Sequence, residues 1–299
     1  MYRTKLSTFF RSAFLLSAVS FLWACGEAPK PEMSPQDKAE VAATAETHAT
    51  DKPVASPVAT TPPAREVITS RIAYGEVGDK NLHGYLSVPA DTTGSLPALI
   101  VIHEWWGLND NIIATSERLA SEGYITLAVD LFDEEVARTP KEAMKLIENL
   151  MANQDIAIAN LTAAYAYLDG AAAAPKVGVI GWCAGGRWSL QTALALPKEI
   201  DAMVMYYGAV ETDMQRLETL QMPILGLFAG DDPIVPRNTV DLFQKNLLEL
   251  GKDANIVVYE GAKHAFSNPS GLAYNKEAAD DAWDKTLEFL YENLVSIKE

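Results

Sequence analysis

A cysteine flanked by small residues stands at the end of an apolar run, from which its thiol could attack a carbonyl group. The run covers residues 176–180 and continues as Gly181, Trp182, Cys183, Ala184, Gly185 and Gly186. This spacing predicts a nucleophile elbow, a sharp turn between a strand and a helix whose central residue is strained and whose neighbours must be small. The first amides of the helix would then point at Cys183 and lower the pKa of its thiol. The alternative is a buried cysteine in an ordinary glycine-rich turn.

A thiol nucleophile needs a base and an acid that orients the base, and two later loops contain such residues. Asp231 and Asp232 follow the apolar run 224–229, and His264 follows the run 255–259. In open α/β sheets, functional side chains lie beyond the carboxyl ends of the strands, so both loops would reach the cysteine. The chain order of nucleophile, acid and histidine is that of the α/β-hydrolase fold. Spacing alone leaves both aspartates as candidates for the acid.

These side chains can meet only if a sheet brings the ends of several strands to one edge. Six apolar runs of strand length alternate with helical stretches, at residues 97–103, 124–129, 176–181, 202–207, 223–229 and 255–259. Such alternation predicts a doubly wound, mostly parallel sheet with helices on both faces, here a single α/β-hydrolase domain over residues 66–299. Residues 71–77 and 82–88 flank a short turn and predict an N-terminal antiparallel hairpin at the sheet edge.

The first 24 residues have the composition of a secretory signal peptide. Arg3, Lys5 and Arg11 precede an apolar stretch from residue 13 to 24, which is too short to span a bilayer as a stable helix. The stretch ends in a small residue before Cys25 and resembles a bacterial lipobox, in which the cysteine is lipidated. The residue after Gly26 is glutamate rather than the aspartate common in inner-membrane lipoproteins. We therefore expect an exported chain at the periplasmic face of a bacterial envelope, as an outer-membrane lipoprotein.

Residues 25–65 differ in composition from the rest of the chain. They are rich in Ala, Pro, Thr and Glu and have no apolar period. Such a segment cannot bury enough surface to offset its conformational entropy, so it predicts a disordered tether between the anchor and the domain. His48 lies in this segment, where we expect a solvated side chain.

Charge and cysteine content exclude several classes of function. The formal net charge is −16, from 24 basic and 40 acidic residues. This acidic balance argues against nucleic-acid binding and against docking on anionic lipid, which leaves the N-terminal lipid anchor as the expected membrane contact. If Cys25 is lipidated, Cys183 is the remaining cysteine and no disulfide can form. No Cys/His cluster has metal-ligand spacing, so we expect neither a metal nor a cofactor.

Four segments together resemble the dienelactone hydrolase family of α/β hydrolases: residues 103–107, 181–187, 232–236 and 264–266. The resemblance implies that Cys183 is the nucleophile. It further implies that His264 is the general base and later the acid. The family pattern places the acid three residues before the Val235–Pro236 step, which selects Asp232 to fix the imidazole tautomer.

The resemblance also assigns roles to the loop after the run 97–103. It implies that the backbone amides of Trp105 and Ala184 form an oxyanion hole. It implies that Glu104 contacts the thiol and helps to create the thiolate when substrate arrives, so that the resting thiol is neutral. The alternative is that Glu104 only braces the loop. His103 beside it is expected to have a structural role.

Aromatic residues near the elbow are candidates for the substrate pocket. The candidate pocket residues are Trp106, Trp182, Phe266 and Asn268. Trp182 has the alternative of being core. Family members that cleave dienelactone hold the substrate carboxylate with arginines, one of them at the position of Asn268, so esters or lactones other than dienelactone are expected. Arg187, on the helix after the elbow, is expected to form a structural ion pair.

The sequence thus predicts an exported hydrolase of small-molecule carboxylic esters or lactones that works through a thioacyl-enzyme. Two alternatives remain. The same triad could transfer the acyl group to another acceptor, or act on thioesters or peptides. The chain could also be a non-catalytic envelope lipoprotein that uses the scaffold for binding.

Overall fold

The computed structural model describes residues 33–296. The predicted signal peptide of residues 1–24 and the predicted lipidation site Cys25 lie outside the described residues. Within residues 33–296, every helix is too short or too polar to cross a bilayer.

Eight strands form one sheet in the order β1-β2-β4-β3-β5-β6-β7-β8. Their bounds are β1 Val67–Val77, β2 Lys80–Pro89, β3 Ala98–Ile102, β4 Ile125–Val129, β5 Val177–Trp182, β6 Ala202–Tyr206, β7 Ile224–Ala229 and β8 Ala254–Tyr259. The strands β1 and β2 form the predicted hairpin at the sheet edge, and β2 is antiparallel to β4. All other pairs are parallel. The predicted fold class is confirmed.

Helices cover both faces of this sheet. Their bounds are α1 Pro35–Thr47, α2 Pro57–Thr60, α3 Asp110–Ser121, α4 Pro140–Ala152, α5 Gln154–Gly170, α6 Ala184–Ala195, α7 Met214–Glu218, α8 Arg237–Glu249 and α9 Lys276–Leu290, which continues as a π-helical turn over Tyr291–Val295. The side chain of Asn109 caps α3 by accepting hydrogen bonds from two backbone amides.

The core consists of two clusters, one on each face of the sheet. One cluster packs helices α4, α5, α6 and α8 against the strands, and the other packs α3 and α9. The strands β3 to β7 are buried along their whole length, because parallel strands between two helical layers have no face in water. The sheet therefore holds its carboxyl edge rigidly, and the site loops leave from that edge.

The predicted disordered tether is wrong for residues 35–47, which form α1. Ser34 and Asp37 form a capping box at its N-terminus. The guanidinium of Arg187 then donates to Asp37 Oδ1 and to Glu40 Oε2, both at 2.6 Å. Composition describes only the tendency of a segment to fold on its own. The charge that holds α1 in place comes from Arg187, 150 positions away from Asp37.

A second anchor fixes the chain after α1. The backbone amide of Ser56 donates to Asn111 Oδ1 at 2.8 Å, and Asn111 Nδ2 donates to the carbonyl of Val54 at 2.9 Å. Asn111 lies in the first turn of α3. The segment from α1 to Ser56 is therefore held at both ends.

Candidate active site

The predicted elbow is present between β5 and α6. Cys183 has φ 54° and ψ −118°, in the left-handed half of the map that non-glycine residues rarely adopt. A Cβ on Gly181 would meet the carbonyl oxygen of Gly185 at 2.3 Å, and one on Gly185 would meet that of Ile102 at 2.3 Å. Small residues are thus required at both positions, and Cys183 projects from the sheet edge at the start of α6.

Two buried side chains from other loops line up with the cysteine. Asp232 follows β7 and accepts on Oδ2 from His264 Nδ1 at 2.7 Å, while Nε2 of His264 lies 3.2 Å from the Cys183 sulfur. Asp231, the other candidate acid, is exposed. The structure therefore brings together Cys183, His264 and Asp232, in an arrangement that can move a proton between sulfur and imidazole.

The electrostatics of this group favour a thiolate. Burial of the Cys183 thiol favours the neutral form, but the charge and hydrogen bond of His264, and then the charge of His48, outweigh it and lower the pKa of Cys183 to about 6. Burial opposes the imidazolium of His264, but the thiolate and Asp232 raise the pKa of this histidine. These two shifts favour an ion pair of thiolate and imidazolium. Their direction is opposite to the neutral resting thiol that we expected, and the charge of His264 is the largest cause that lowers the pKa of Cys183.

Glu104 lies beside this pair in the loop after β3. Burial, and next the negative charge of Cys183, raise the pKa of Glu104 to about 8. Asn268 Nδ2 donates to Glu104 Oε2 at 2.8 Å. The carboxyl group is thus mostly neutral at pH 7, and Asn268 is engaged in holding it.

His103 braces the same loop. The backbone amide of Leu131 donates to His103 Nε2 at 3.1 Å, so Nδ1 carries the proton and donates to the carbonyl of Glu104 at 2.6 Å. Burial lowers the pKa of His103, which keeps the ring neutral. The geometry agrees with a structural histidine.

His48 is not the solvated linker histidine that we expected. It is 5% exposed, and its Nδ1 lies 2.8 Å from Asp51 Oδ2. Its ring lies 4.9 Å from the ring of Trp105 and 5.4 Å from that of His264, measured between centroids. Sequence reasoning missed it because the surrounding residues have the composition of a linker. The pairing of a histidine with an aspartate three residues later is the one local signal.

The candidate oxyanion-hole residues both line one small cavity at the nucleophile. Trp105 and Ala184 line a cavity of about 10 Å³ beside Cys183, and α1 closes it with Val41 and Thr44. A volume of this size holds about one water molecule. It accommodates a single carbonyl oxygen rather than a whole substrate.

A larger cavity reaches the sulfur from another side. It measures about 320 Å³ and is lined by Cys183, Glu104, Trp106 and Asn268, and from the N-terminal segment by His48, Thr50, Asp51, Lys52 and Val54. Two of the candidate pocket residues, Trp106 and Asn268, therefore lie at the nucleophile. The N-terminal segment supplies one wall.

The other two candidate pocket residues do not line this 320 Å³ cavity. Trp182 lines a neighbouring cavity of about 440 Å³, which shares Glu104 and Asn268 with the first. Phe266 is fully buried, with its ring packed against Tyr207 and Tyr259, so it belongs to the core. The structure thus places Phe266 among buried aromatic rings, one residue after Ala265, whose φ is 62°.

One group of side chains in residues 33–296 has the geometry to attract a metal ion. Ligand atoms of His48, Cys183 and His264 lie within 4.8 Å of one another. Imidazole and thiolate are the ligands that Zn²⁺ prefers. Sequence reasoning did not find this group, because its members come from three separate segments.

Comparisons with known proteins are consistent with this site. A sequence model described as the dienelactone hydrolase family matches residues 82–294. A putative carboxymethylenebutenolidase of Saccharolobus solfataricus is 33% identical over 256 residues, covering 73% of this chain and 96% of that protein. Protein usf of Aquifex pyrophilus is 34% identical over 220 residues, covering 71% and 94%. The crystal structure of a putative dienelactone hydrolase from Klebsiella pneumoniae has a TM-score of 0.67 and 27% identity, covering 76% of this chain and all of that one.

Proposed function

The chain belongs to the dienelactone hydrolase family and is an ester-bond hydrolase, and from this premise we propose that Cys183 attacks the carbonyl carbon of a carboxylic ester or lactone. His264 is then the acid and base, and Asp232 fixes its tautomer. The observation that carries the proposal is the continuous contact from Asp232 through His264 to the sulfur, at 2.7 and 3.2 Å.

The first half of the reaction forms a thioacyl-enzyme. The Cys183 thiolate adds to the carbonyl carbon, and the carbonyl oxygen takes up the negative charge in the small cavity beside Trp105 and Ala184, whose backbone amides would donate to it. The intermediate then collapses and the carbon–oxygen bond to the leaving group breaks. The proton on His264 Nε2 passes to the leaving alkoxide, so the imidazole becomes neutral.

The second half returns the enzyme to its starting state. Neutral His264 takes a proton from a water molecule, and the resulting hydroxide attacks the thioester carbon. The carbon–sulfur bond breaks and releases the carboxylic acid. Cys183 leaves as the thiolate that His264 stabilised before. One ester and one water are consumed in each cycle.

Glu104 would act as a neutral neighbour of the thiolate. A second negative charge beside the sulfur would disfavour the nucleophile. Because burial and the thiolate raise the pKa of Glu104 to about 8, its carboxyl group stays protonated at the pH where Cys183 is ionised. The hydrogen bond from Asn268 at 2.8 Å keeps it in place.

The substrate is expected to be a neutral ester or lactone. Asn268 occupies the position where the dienelactone-cleaving members carry an arginine, and it already donates to Glu104. It therefore cannot pair with a substrate carboxylate as a guanidinium does. Trp105 and Trp106 in the 320 Å³ cavity favour an apolar acyl group.

The reaction can be tested with a panel of activated esters and lactones on the purified chain, wild type beside Cys183→Ala. We expect turnover by the wild type alone, and an acyl adduct on Cys183 in its mass spectrum. Turnover by Cys183→Ala would refute the proposal. Adding alcohols or amines as acceptors separates hydrolysis from acyl transfer. A thiol that is freely alkylated while no ester reacts would point to a binding protein instead.

We also propose that the chain is exported and anchored by a lipid on Cys25 at the periplasmic face of the outer membrane. The support is the composition of residues 1–24 and the lipobox-like end before Cys25. Incorporation of a labelled fatty acid, compared between wild type and Cys25→Ala, tests the anchor. Recovery of the unprocessed wild-type chain from the cytoplasm would contradict it.

A further inference from the structure

We propose that the segment before the family-matched residues completes the active site: His48, oriented by Asp51, places a second imidazole beside the Cys183 thiolate and is a positioning residue for the nucleophile. The proposal rests on the proposed role of Cys183. The residues matched by the family description begin at 82, so the pair lies outside them.

The two imidazoles at the sulfur are held in the same way. Asp232 binds Nδ1 of His264 at 2.7 Å, and Asp51 binds Nδ1 of His48 at 2.8 Å. A carboxylate on Nδ1 fixes the orientation of the ring and leaves Nε2 to act on a partner. Each ring is thus aimed by its own aspartate.

The sulfur is the partner that Nε2 of His48 faces. This nitrogen is buried and has no other hydrogen-bond partner among the described residues. A buried unpaired imidazole nitrogen is costly, so its orientation calls for a partner. The ligand atoms of His48 and Cys183 lie within 4.8 Å, and the contact lacks the geometry of a full hydrogen bond. In the proposed role it acts as a charge contact.

The charge on His48 suits this role. Burial favours neutral His48, but the interaction with Cys183 and the contact with Asp51 outweigh it and raise the pKa of His48. A protonated imidazole beside a sulfur stabilises the thiolate. The other titratable groups near the thiol come from four elements: His264 after β8, Glu104 after β3, Tyr207 after β6 and Glu40 on α1.

The segment that carries His48 is fastened to the catalytic helix itself. Arg187 lies in the first turn of α6, and its backbone amide donates to the carbonyl of Cys183 at 3.1 Å. Its guanidinium holds Asp37 and Glu40 at 2.6 Å. The elbow and the segment are therefore coupled through one buried side chain, and activation of the thiol depends on docking of α1.

The test is the pH dependence of Cys183 alkylation by iodoacetamide in the whole chain, in the presence of a chelator. In His48→Gln and Asp51→Asn we expect the rate near pH 6 to fall by about three- to tenfold, and the rates near pH 9 to agree with wild type, because only the thiolate reacts. The value of kcat/KM should fall over the same acid range. His83→Gln is the matched control, since His83 is partly exposed and pairs with Glu134 at 2.9 Å.

Two results separate this inference from the proposed reaction. Alkylation profiles that match wild type in both variants would overturn the role of His48, even if Cys183→Ala is inactive. Retained turnover in Cys183→Ala would instead refute the nucleophile. If His48→Gln fails to fold, Asp51→Asn still decides, because the Asp51 side chain is 20% exposed and its replacement removes charge rather than volume.

Discussion

Replacing Asp232 with asparagine should remove the charge that supports the His264 imidazolium and leave the loop folded. Oδ1 of Asp232 accepts from the backbone amides of Ile234 at 2.8 Å and Val235 at 3.0 Å, and the oxygen of an asparagine can accept both. Oδ2, which accepts from His264 Nδ1, becomes an amide group that cannot. The substitution therefore changes charge and proton acceptance and preserves shape.

The loss of thiolate contributes an upper limit to one part of the effect, because His48 also lowers the pKa of Cys183 and stays in place. With the pKa of Cys183 lowered to about 6, about 97% of the sulfur is thiolate near pH 7.5. If the pKa of the thiol returned to its ordinary value of 9.0, the thiolate fraction would fall to about 3%. The concentration of the nucleophile would then decrease roughly thirtyfold. A histidine in the wrong tautomer also loses acid–base catalysis, worth about 10²- to 10⁴-fold. We expect kcat/KM to fall by about 10³-fold or more.

The assay is kcat/KM for an activated ester, measured together with the pH profile of Cys183 alkylation. The neighbouring Asp231→Asn is the matched control, because Asp231 is exposed and does not contact His264, and it should match wild type. The reasoning would be refuted if Asp232→Asn kept more than about a tenth of the activity. An equal loss in both variants would refute it as well.

Three further outcomes are expected. The pKa of Glu104 is raised to about 8, so its negative charge appears only as the pH rises through that value. In Glu104→Gln we therefore expect little change in activity below pH 8, and the loss of any decline that the wild type shows above pH 8. A pH–rate profile of the variant that still declines above pH 8 would contradict this. Arg187→Met leaves two buried carboxylates without their ion-pair partner, at a local cost of about 3–5 kcal/mol. Limited proteolysis should therefore cut residues 33–60 faster in this variant than in wild type. The control is Arg237→Met, which breaks an exposed ion pair and should not change the rate of cleavage. Zn²⁺ should inhibit hydrolysis reversibly by binding the sulfur of Cys183 and the imidazoles of His48 and His264. The substitution His48→Gln should weaken this inhibition roughly tenfold or more. Equal inhibition of the wild type and of His48→Gln would exclude His48 as a ligand.

The candidate pocket residues show that sequence spacing does not predict the direction of a side chain. Trp106 and Asn268 line the cavity at Cys183, and each lies four residues after a strand end or after His264. The ring of Phe266 instead packs against Tyr207 and Tyr259. Backbone spacing places a residue near a site, but the direction of its side chain depends on the φ and ψ of the intervening turn, here φ 62° at Ala265.

The fold, Cys183 and His264 were accessible from patterns in the sequence by itself, and the resemblance to the family selected Asp232 over Asp231. Apolar runs and glycine positions are local patterns, and parallel strands place their carboxyl ends at one edge whatever the loops contain. Only the tertiary structure placed α1 and His48, which local composition described as a linker. The physical reason is that this segment is held by contacts with residues distant in the sequence, namely Arg187, Asn111 and the sulfur of Cys183. These contacts add charge and hydrogen bonding to a segment whose own apolar content is too low to fold it.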